Sequence, residues 1–395
     1  MKKLLFAAIT FALLSCCKEK SELPTPTPGK VWRTYLLYLA GNNTLASSMH
    51  IDALELTNGL TDTTLNGGRV LIYYSLSANA AQLIEVQYDP SKGHGVQKVL
   101  KTYPAGQSDV DPNVIRQAIV DMTEYAPADS YVIDFSSHAL GWTPAVNITG
   151  TLAPKRAFGS QYPVGGYPSG AAIDVDMLAR TIPDGLPVEA VLFDACAVGC
   201  VEVAYEFRNK CRYFGASVAE IPSNGFPYDK IIGYIFDGNA IDWAAFVDTY
   251  VEDYPNYNLW HVPTYTIVDC SKLGWLRSVA RAAVSAYRPQ LMTINLDQAQ
   301  YYFNRSLIFG YDMGDVLSKV TTGGPLDELV KTTLDEVVVY KRATETSNGS
   351  APAFVQAKFS GLTMHVPQDR FDQATNTVRW NPYYRTLAWY HDVWE

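Results

Sequence analysis

Short runs of aliphatic, β-branched and aromatic residues, each followed by a stretch of helical character, set the tightest constraint on this chain of 395 residues. Val31 to Ala40, Arg69 to Leu76, Tyr131 to Ser137, Val188 to Asp194, Arg212 to Ser217 and Tyr265 to Val268 read as buried strands. Residues 44–60, 111–125, 174–180, 228–236, 241–253 and 272–288 read as helices, the second opening on Asp111-Pro112, a start signal. Residues 82–89 and 96–103 alternate as a hairpin does. Strands alternating with helices predict an α/β fold with a mostly parallel sheet covered on both faces. About 143–171 is polar and rich in Gly and Pro, a loop; 310–340 reads as mostly helical, Gly361 to Val366 as a strand and 382–391 as a closing helix. A boundary near 290 divides a core of residues 31–290 from a C-terminal α+β extension, 291–395, packed on it.

The N-terminus has a separate character. Lys2 and Lys3 precede an apolar run from Leu4 to Leu14, too short to span a bilayer and shaped like a secretory signal. Leu13-Leu14-Ser15-Cys16 is similar to the bacterial lipoprotein box, which predicts cleavage after residue 15 and a lipid on Cys16. Residues 16–30 contain Pro24, Pro26 and Pro28 and read as an extended tether. The expectation is a monomeric domain anchored by lipid to a bacterial cell envelope, periplasmic or on the surface. Removing residues 1–15 takes away two of 31 basic residues, leaving 29 against 40 acidic ones, a net charge of −11. Nucleic acid is excluded as a partner by that balance, whereas cationic substrates suit it.

Four cysteines remain beyond the anchor region: Cys196, Cys200, Cys211 and Cys270. An exported protein can pair such residues, and their spacing suggests no zinc site. Cys196 stands apart because it follows a strand, Val191-Leu192-Phe193-Asp194, and precedes a helical run beginning at Val201. A right-handed crossover returns parallel, so the strands ending at Ser137 and Asp194 finish on one edge of the sheet. His138 directly follows the first and Cys196 lies two residues beyond the second. Their separation of 58 residues therefore does not prevent a thiol–imidazole pair, in which the ring serves as base and then as acid.

Local sequence sharpens that pair. Ser137-His138-Ala139-Leu140-Gly141-Trp142 and Asp194-Ala195-Cys196-Ala197-Val198-Gly199 resemble the two signature blocks of the clostripain-like cysteine peptidases, relatives of caspases, legumains and gingipains. Tyr38 to Leu45, Ala216 to Tyr228 with Pro222-x-x-Gly225-x-Pro227-Tyr228, Tyr311 to Asp315 and Leu387 to Tyr390 also fit, so the resemblance spans residues 31 to 395.

The resemblance implies a caspase-like three-layer α/β/α sandwich and a cysteine endopeptidase. Cys196 becomes the nucleophile and His138 the general acid and base. The backbone N–H groups of Ala139 and Cys196 become the oxyanion hole. Asp194 becomes the carboxylate that favours Arg or Lys before the scissile bond, where it otherwise could cap the following helix. Lys155 and Arg156 become candidate sites of self-cleavage. Calcium enters as a candidate cofactor, with Asp312 and Asp315 as the acidic pair considered, although they lack a recognisable binding loop. Protein or peptide substrates with basic residues are the expected partners. Two departures open an alternative: Ala139 stands where the family carries glycine, and alanine is strained if that backbone is left-handed, while Leu140 in place of a small residue narrows the site. A weakened or inactive lipoprotein that binds peptide or glycan would result. Cys200, at i+4 from Cys196, reads as a packed thiol sharing its helix face, and most of the 26 Tyr and 8 Trp read as core.

Overall fold

The computed structural model describes residues 29–144, 157–164, 170–238, 240–254, 263–302, 310–344, 355–372 and 380–395. Cys16, Lys155 and Arg156, and with them the lipidation and self-cleavage expectations, lie outside the described residues. The strands are β1 (Val31–Ala40), β2 (Arg69–Ser75), β3 (Gln82–Asp89), β4 (His94–Thr102), β5 (Ala128–Ser136), β6 (Phe158–Gln161), β7 (Ala171–Ile173), β8 (Val188–Asp194), β9 (Tyr213–Ala216), β10 (Thr264–Asp269), β11 (Tyr311–Asp312), β12 (Val338–Ala343) and β13 (Thr363–Met364). The helices are α1 (Ala46–Asn58), α2 (Asp62–Leu65), α3 (Pro112–Tyr125), α4 (Val175–Thr181), α5 (Val201–Glu206), α6 (Tyr228–Ile235), α7 (Trp243–Asp253), α8 (Leu273–Thr293), α9 (Met313–Thr321), α10 (Pro325–Val337), α11 (Trp380–Tyr384) and α12 (Ala388–Val393).

Nine strands form one sheet in the order β12-β10-β9-β8-β5-β1-β2-β3-β4. Its centre, β9-β8-β5-β1-β2, is parallel, and the β2-β3-β4 and β9-β10-β12 flanks are antiparallel. Alternation along the strands sends side chains to two separate cores. On β1, Leu36, Tyr38 and Ala40 face one core while Tyr35, Leu37 and Leu39 face the other. Helices α3, α4, α5 and α8 cover the first face and α1, α6 and α7 the second, giving three layers. The large aromatics are core, with Trp142, Trp389, Trp394, Tyr38 and Tyr228 fully buried. Helix α3 starts as its sequence directs: the Asp111 side chain accepts from the Asn113 N–H and Pro112 occupies the first turn.

Four segments differ from the sequence reading, one of them 382–391, where a turn at 385–387 splits the expected closing helix into α11 and α12. Residues 310–340 yield α9 and α10, but the β-branched run Val337-Val338-Val339 turns the chain into β12, which closes the sheet against β10. Tertiary pairing decides this, because a short apolar run at a helix end suits either state. The loop 143–171 contains β6, which pairs antiparallel with β7, and Ala139 bridges to Phe158 beside it. Of Gly361 to Val366 only Thr363–Met364 is strand, paired with Tyr311–Asp312. No helix among the described residues is long and apolar enough to cross a membrane.

Candidate active site

The order of strands reverses at β1: the chain leaves it for β2 on one side and later returns to β5 and β8 on the other. Ligands of such sheets bind beyond the carboxyl ends of the strands at this reversal. Here β1 leads to Thr44, β5 to His138 and β8 to Cys196. Ser136 and Asp194 are partners in the parallel β5–β8 register, and His138 and Cys196 each lie two residues further on. Both side chains line one cleft of about 230 Å³.

Each side chain is held by backbone features around it. The Ile221 N–H donates to Cys196 Sγ at 3.4 Å, and Ile221 O lies 3.8 Å from the same sulfur. Both contacts hold the sulfur in place, and its thiolate is the form that attacks carbonyl carbon. Hydrogen bonds from Ala197 N to Ala219 O (2.8 Å) and from Gly199 N to Ser217 O (2.7 Å) lash the cysteine turn to the segment after β9. On the histidine, Nε2 lies 2.7 Å from Thr44 Oγ1. Gly141 takes φ +55°, a left-handed conformation suited to glycine, and this turn drives Trp142 into a buried cluster with Tyr384 and His365 at ring separations of 5.1 and 4.9 Å. The C-terminal segment thereby anchors the loop that carries His138.

A group of carboxylates lies beneath the cysteine. Asp194 is 5% exposed, and its Oδ2 accepts from Tyr228 OH (3.1 Å), Ser136 Oγ (3.3 Å) and Phe226 N (3.4 Å). Burial pushes its carboxyl up to about 6 against the pull of these donors. Asp134, two residues before Ser136 on β5, is fully buried, and burial followed by the Asp194 charge raises it to about 8; Tyr35 OH donates to it at 2.7 Å. Asp52 of α1 also lines the cleft and is raised to about 10, by burial first and then by Asp194. Glu220 is a third acidic residue on the lining, and the described residues that form it include neither lysine nor arginine.

A family model described as the clostripain family, peptidase C11, matches residues 37–395. The chain belongs to the clostripain family. It is similar to an inactive zymogen of a C11 protease from Parabacteroides distasonis, with 26% identity over 93% of this chain and 100% of that one and a TM-score of 0.77. A secreted C11 cysteine protease from Bacteroides thetaiotaomicron, "iotapain", shows 25% identity over the same shares, also with a TM-score of 0.77. A structure of a secreted C11 cysteine protease from that organism in complex with an irreversible peptide inhibitor shares the fold, with 24% identity, 92% and 99% coverage and a TM-score of 0.75. No curated protein matches the chain. The clostripain-family protein is thus a cysteine peptidase homologue with a caspase-like α/β fold.

The family blocks have physical roles in this clostripain-family chain. Pro222 to Tyr228 wraps Asp194: Gly225 at φ +66° passes so close that a Cβ there would sit 2.5 Å from Asp194 Oδ2, while Phe226 and Tyr228 donate to the same oxygen. Asp194 does not cap α5, whose N-cap is Cys200. Cys200 is a packed thiol, fully buried as expected, but it does not share a helix face with Cys196, because the helix begins only at Val201. Cys211 and Cys270 lie with their sulfurs 3.8 Å apart and unbonded. Asp312 caps α9 by accepting from Asp315 N (3.0 Å) and also takes Tyr302 OH and Ser360 N, while Asp315 pairs with Lys358. Their oxygens are committed to the fold, and the described residues hold no group of three or more His, Cys, Asp or Glu fit for a metal.

Ala139 does not adopt a left-handed backbone; the positive-φ alanine is Ala197, at +60°, directly after Cys196. Leu140 N donates to Ala157 O and Gly159 N to His138 O, a pairing in which the Ala139 N–H takes no part. Thr44 and Asp52 were missed from the sequence. Thr44 lay within the Tyr38 to Leu45 block that resembles the family, but nothing there gave it a role; Asp52 carried a signal of its own, because it interrupts the apolar stripe Met49, Ala53, Leu56 on the buried face of α1.

Proposed function

We propose that this protein is a cysteine endopeptidase that cleaves after Arg or Lys through Cys196 and His138. The acidic lining of the cleft beside Cys196, without lysine or arginine among the described residues, carries the specificity in this reading. A substrate guanidinium or ammonium would supply the positive charge that the buried carboxylates lack, and charge-assisted hydrogen bonds of this kind are strong. With Nε2 engaged by Thr44, Nδ1 of His138 would take the thiol proton. The Cys196 thiolate would then attack the scissile carbonyl carbon, with the oxyanion stabilised by the Ala139 and Cys196 N–H groups. His138 would pass its proton to the leaving amine, and water deprotonated by the same ring would release the acid from the thioester.

The disabled-homologue alternative rests on a left-handed Ala139 and on Leu140 narrowing the site; the backbone conformation of Ala139 speaks against the first ground only. Self-cleavage after Lys155 or Arg156 and lipid anchoring through Cys16 to a cell envelope belong to the same proposal. A Cys196→Ala chain should stay whole where the parent is cut, and mass analysis of detergent-extracted protein should find the lipid.

The deciding test is hydrolysis of Arg- or Lys-linked fluorogenic peptides by purified residues 18–395 under reducing conditions. Turnover should vanish with Cys196→Ala. No turnover on any basic peptide, with or without added calcium and prior trypsin nicking, overturns the reading.

A further inference from the structure

Asp52 contradicts its surroundings. It sits on the apolar stripe of α1, is 2% exposed, and its Oδ1 is buried without a hydrogen-bond partner among the described residues. Local rules broken at such cost usually mark functional positions. The side chain lines the cleft with Cys196 and Asp194. A Cβ built on Gly225 would meet Asp194 Oδ2 at 2.5 Å and Asp52 Oδ2 at 3.3 Å, so the two oxygens are no farther apart than the sum of these distances. Two carboxylates therefore converge on one end of the cleft from opposite elements, α1 and β8.

We propose that Asp52 is the second acceptor for the basic side chain of the substrate, pairing with the group that Asp194 also holds. This rests on the reading of a peptidase specific for Arg or Lys and adds a specificity-determining residue to it. The guanidinium has five donors in a planar fork and can bridge two carboxylates, whereas a neutral isostere has no charge to offer either. The groups facing Asp52 are Asp194 on β8, Asp134 on β5, Glu55 on α1, Tyr228 on α6 and Tyr254 after α7. All are acidic or phenolic; the cation on these elements, Lys230 of α6, acts on Glu55 and pairs with Asp253, and the cleft lining adds Glu220 and His138. Burial and then the Asp194 charge favour the protonated form of Asp52 in the empty site. An arriving cation displaces that proton, so binding releases it to solvent.

The experiment compares peptides differing only in arginine or citrulline before the scissile bond, on the parent enzyme and on Asp52→Asn and Asp52→Ser, the second variant covering any folding defect of the first. The parent should prefer arginine. Each variant should lose roughly 10- to 100-fold in kcat/KM for arginine, as expected for a hydrogen bond to a charged group, and lose much less for citrulline, so that the preference for arginine shrinks. Calorimetry of the arginine peptide binding to Cys196→Ala protein, in two buffers of different ionisation enthalpy near pH 7, should show proton release that Asp52→Asn abolishes. A parent that prefers arginine with variants that retain the preference and the proton release overturns the role of Asp52 alone. A parent without the preference overturns the basic-residue specificity and this role together.

Discussion

Thr44 Oγ1 lies 2.7 Å from Nε2 of His138, so the turn after the first strand holds the ring at the end of the fifth. This hydrogen bond orients the imidazole of the proposed dyad. Thr44 touches no reacting atom; its effect runs through the imidazole. Thr44→Val is expected to lower kcat about 10-fold, the worth of one such hydrogen bond, with KM nearly unchanged and the acid limb of the pH–rate profile displaced. Thr44→Ser should restore both. A valine variant with an unaltered profile would reduce Thr44 to packing.

Backbone strain near Cys196 is localised at Ala197, not at Ala139. At φ +60° an alanine costs about 1–2 kcal/mol that glycine does not. Ala197→Gly is therefore expected to raise stability by about 1 kcal/mol. Ala139→Gly, at a position without positive φ, should lower it by about 0.5–1 kcal/mol through the greater freedom of the unfolded chain. Denaturation midpoints of the two variants give the comparison directly, and equal shifts of one sign would contradict it.

Burial makes the stability of this site depend on pH. The folded pKa of Asp52, about 10, is raised above the ordinary value near 4. The folded state thus binds this proton more tightly than the unfolded chain does. Its contribution is fully present below about pH 4 and is lost progressively as pH rises toward the folded value. Asp52→Asn, neutral at every pH, should match the parent at pH 4 and exceed it by more than about 1 kcal/mol at pH 8. Urea unfolding at the two pH values measures the gap; one that stays constant would mean that Asp52 does not carry a raised pKa.

The sequence made the sheet edge legible because each strand there is a compact apolar run ending in a turn. The crossover rule then brought His138 and Cys196 to one side without any knowledge of distance. The pocket was legible only in part. Asp194 adjoins the cysteine and could be named, but its donors come from Ser136, Phe226 and Tyr228, and the companion Asp52 arrives from a helix 142 residues earlier. No local pattern carries such long-range convergence, though an acid on an apolar stripe is a signal that can be read. Backbone φ was not legible either: Ala139 and Ala197 are the same residue type, and only the folded turn separates them. The edge strand β12 was hidden for a related reason, since Val337-Val338-Val339 suits a helix end as well as a strand until β10 offers a partner.

Gly225 connects the pocket to the chain that wraps it. It takes φ +66°, and an added Cβ would stand 2.5 Å from Asp194 Oδ2, closer than real contacts allow. Gly225→Ala therefore meets both a left-handed backbone and a carboxylate that three donors hold in place. The backbone alone costs about 1–2 kcal/mol, and the clash must move Asp194 or break its bonds to Tyr228 and Phe226. Activity on arginine peptides is expected to fall at least about 10-fold through KM, because a displaced carboxylate weakens ground-state and transition-state binding alike. The reaction of Cys196 with a small thiol reagent such as iodoacetamide should stay near the parent rate, since its Ile221 contacts are separate. A variant that loses thiol reactivity in step with peptidase activity would show that the wrap supports the nucleophile itself and not the pocket.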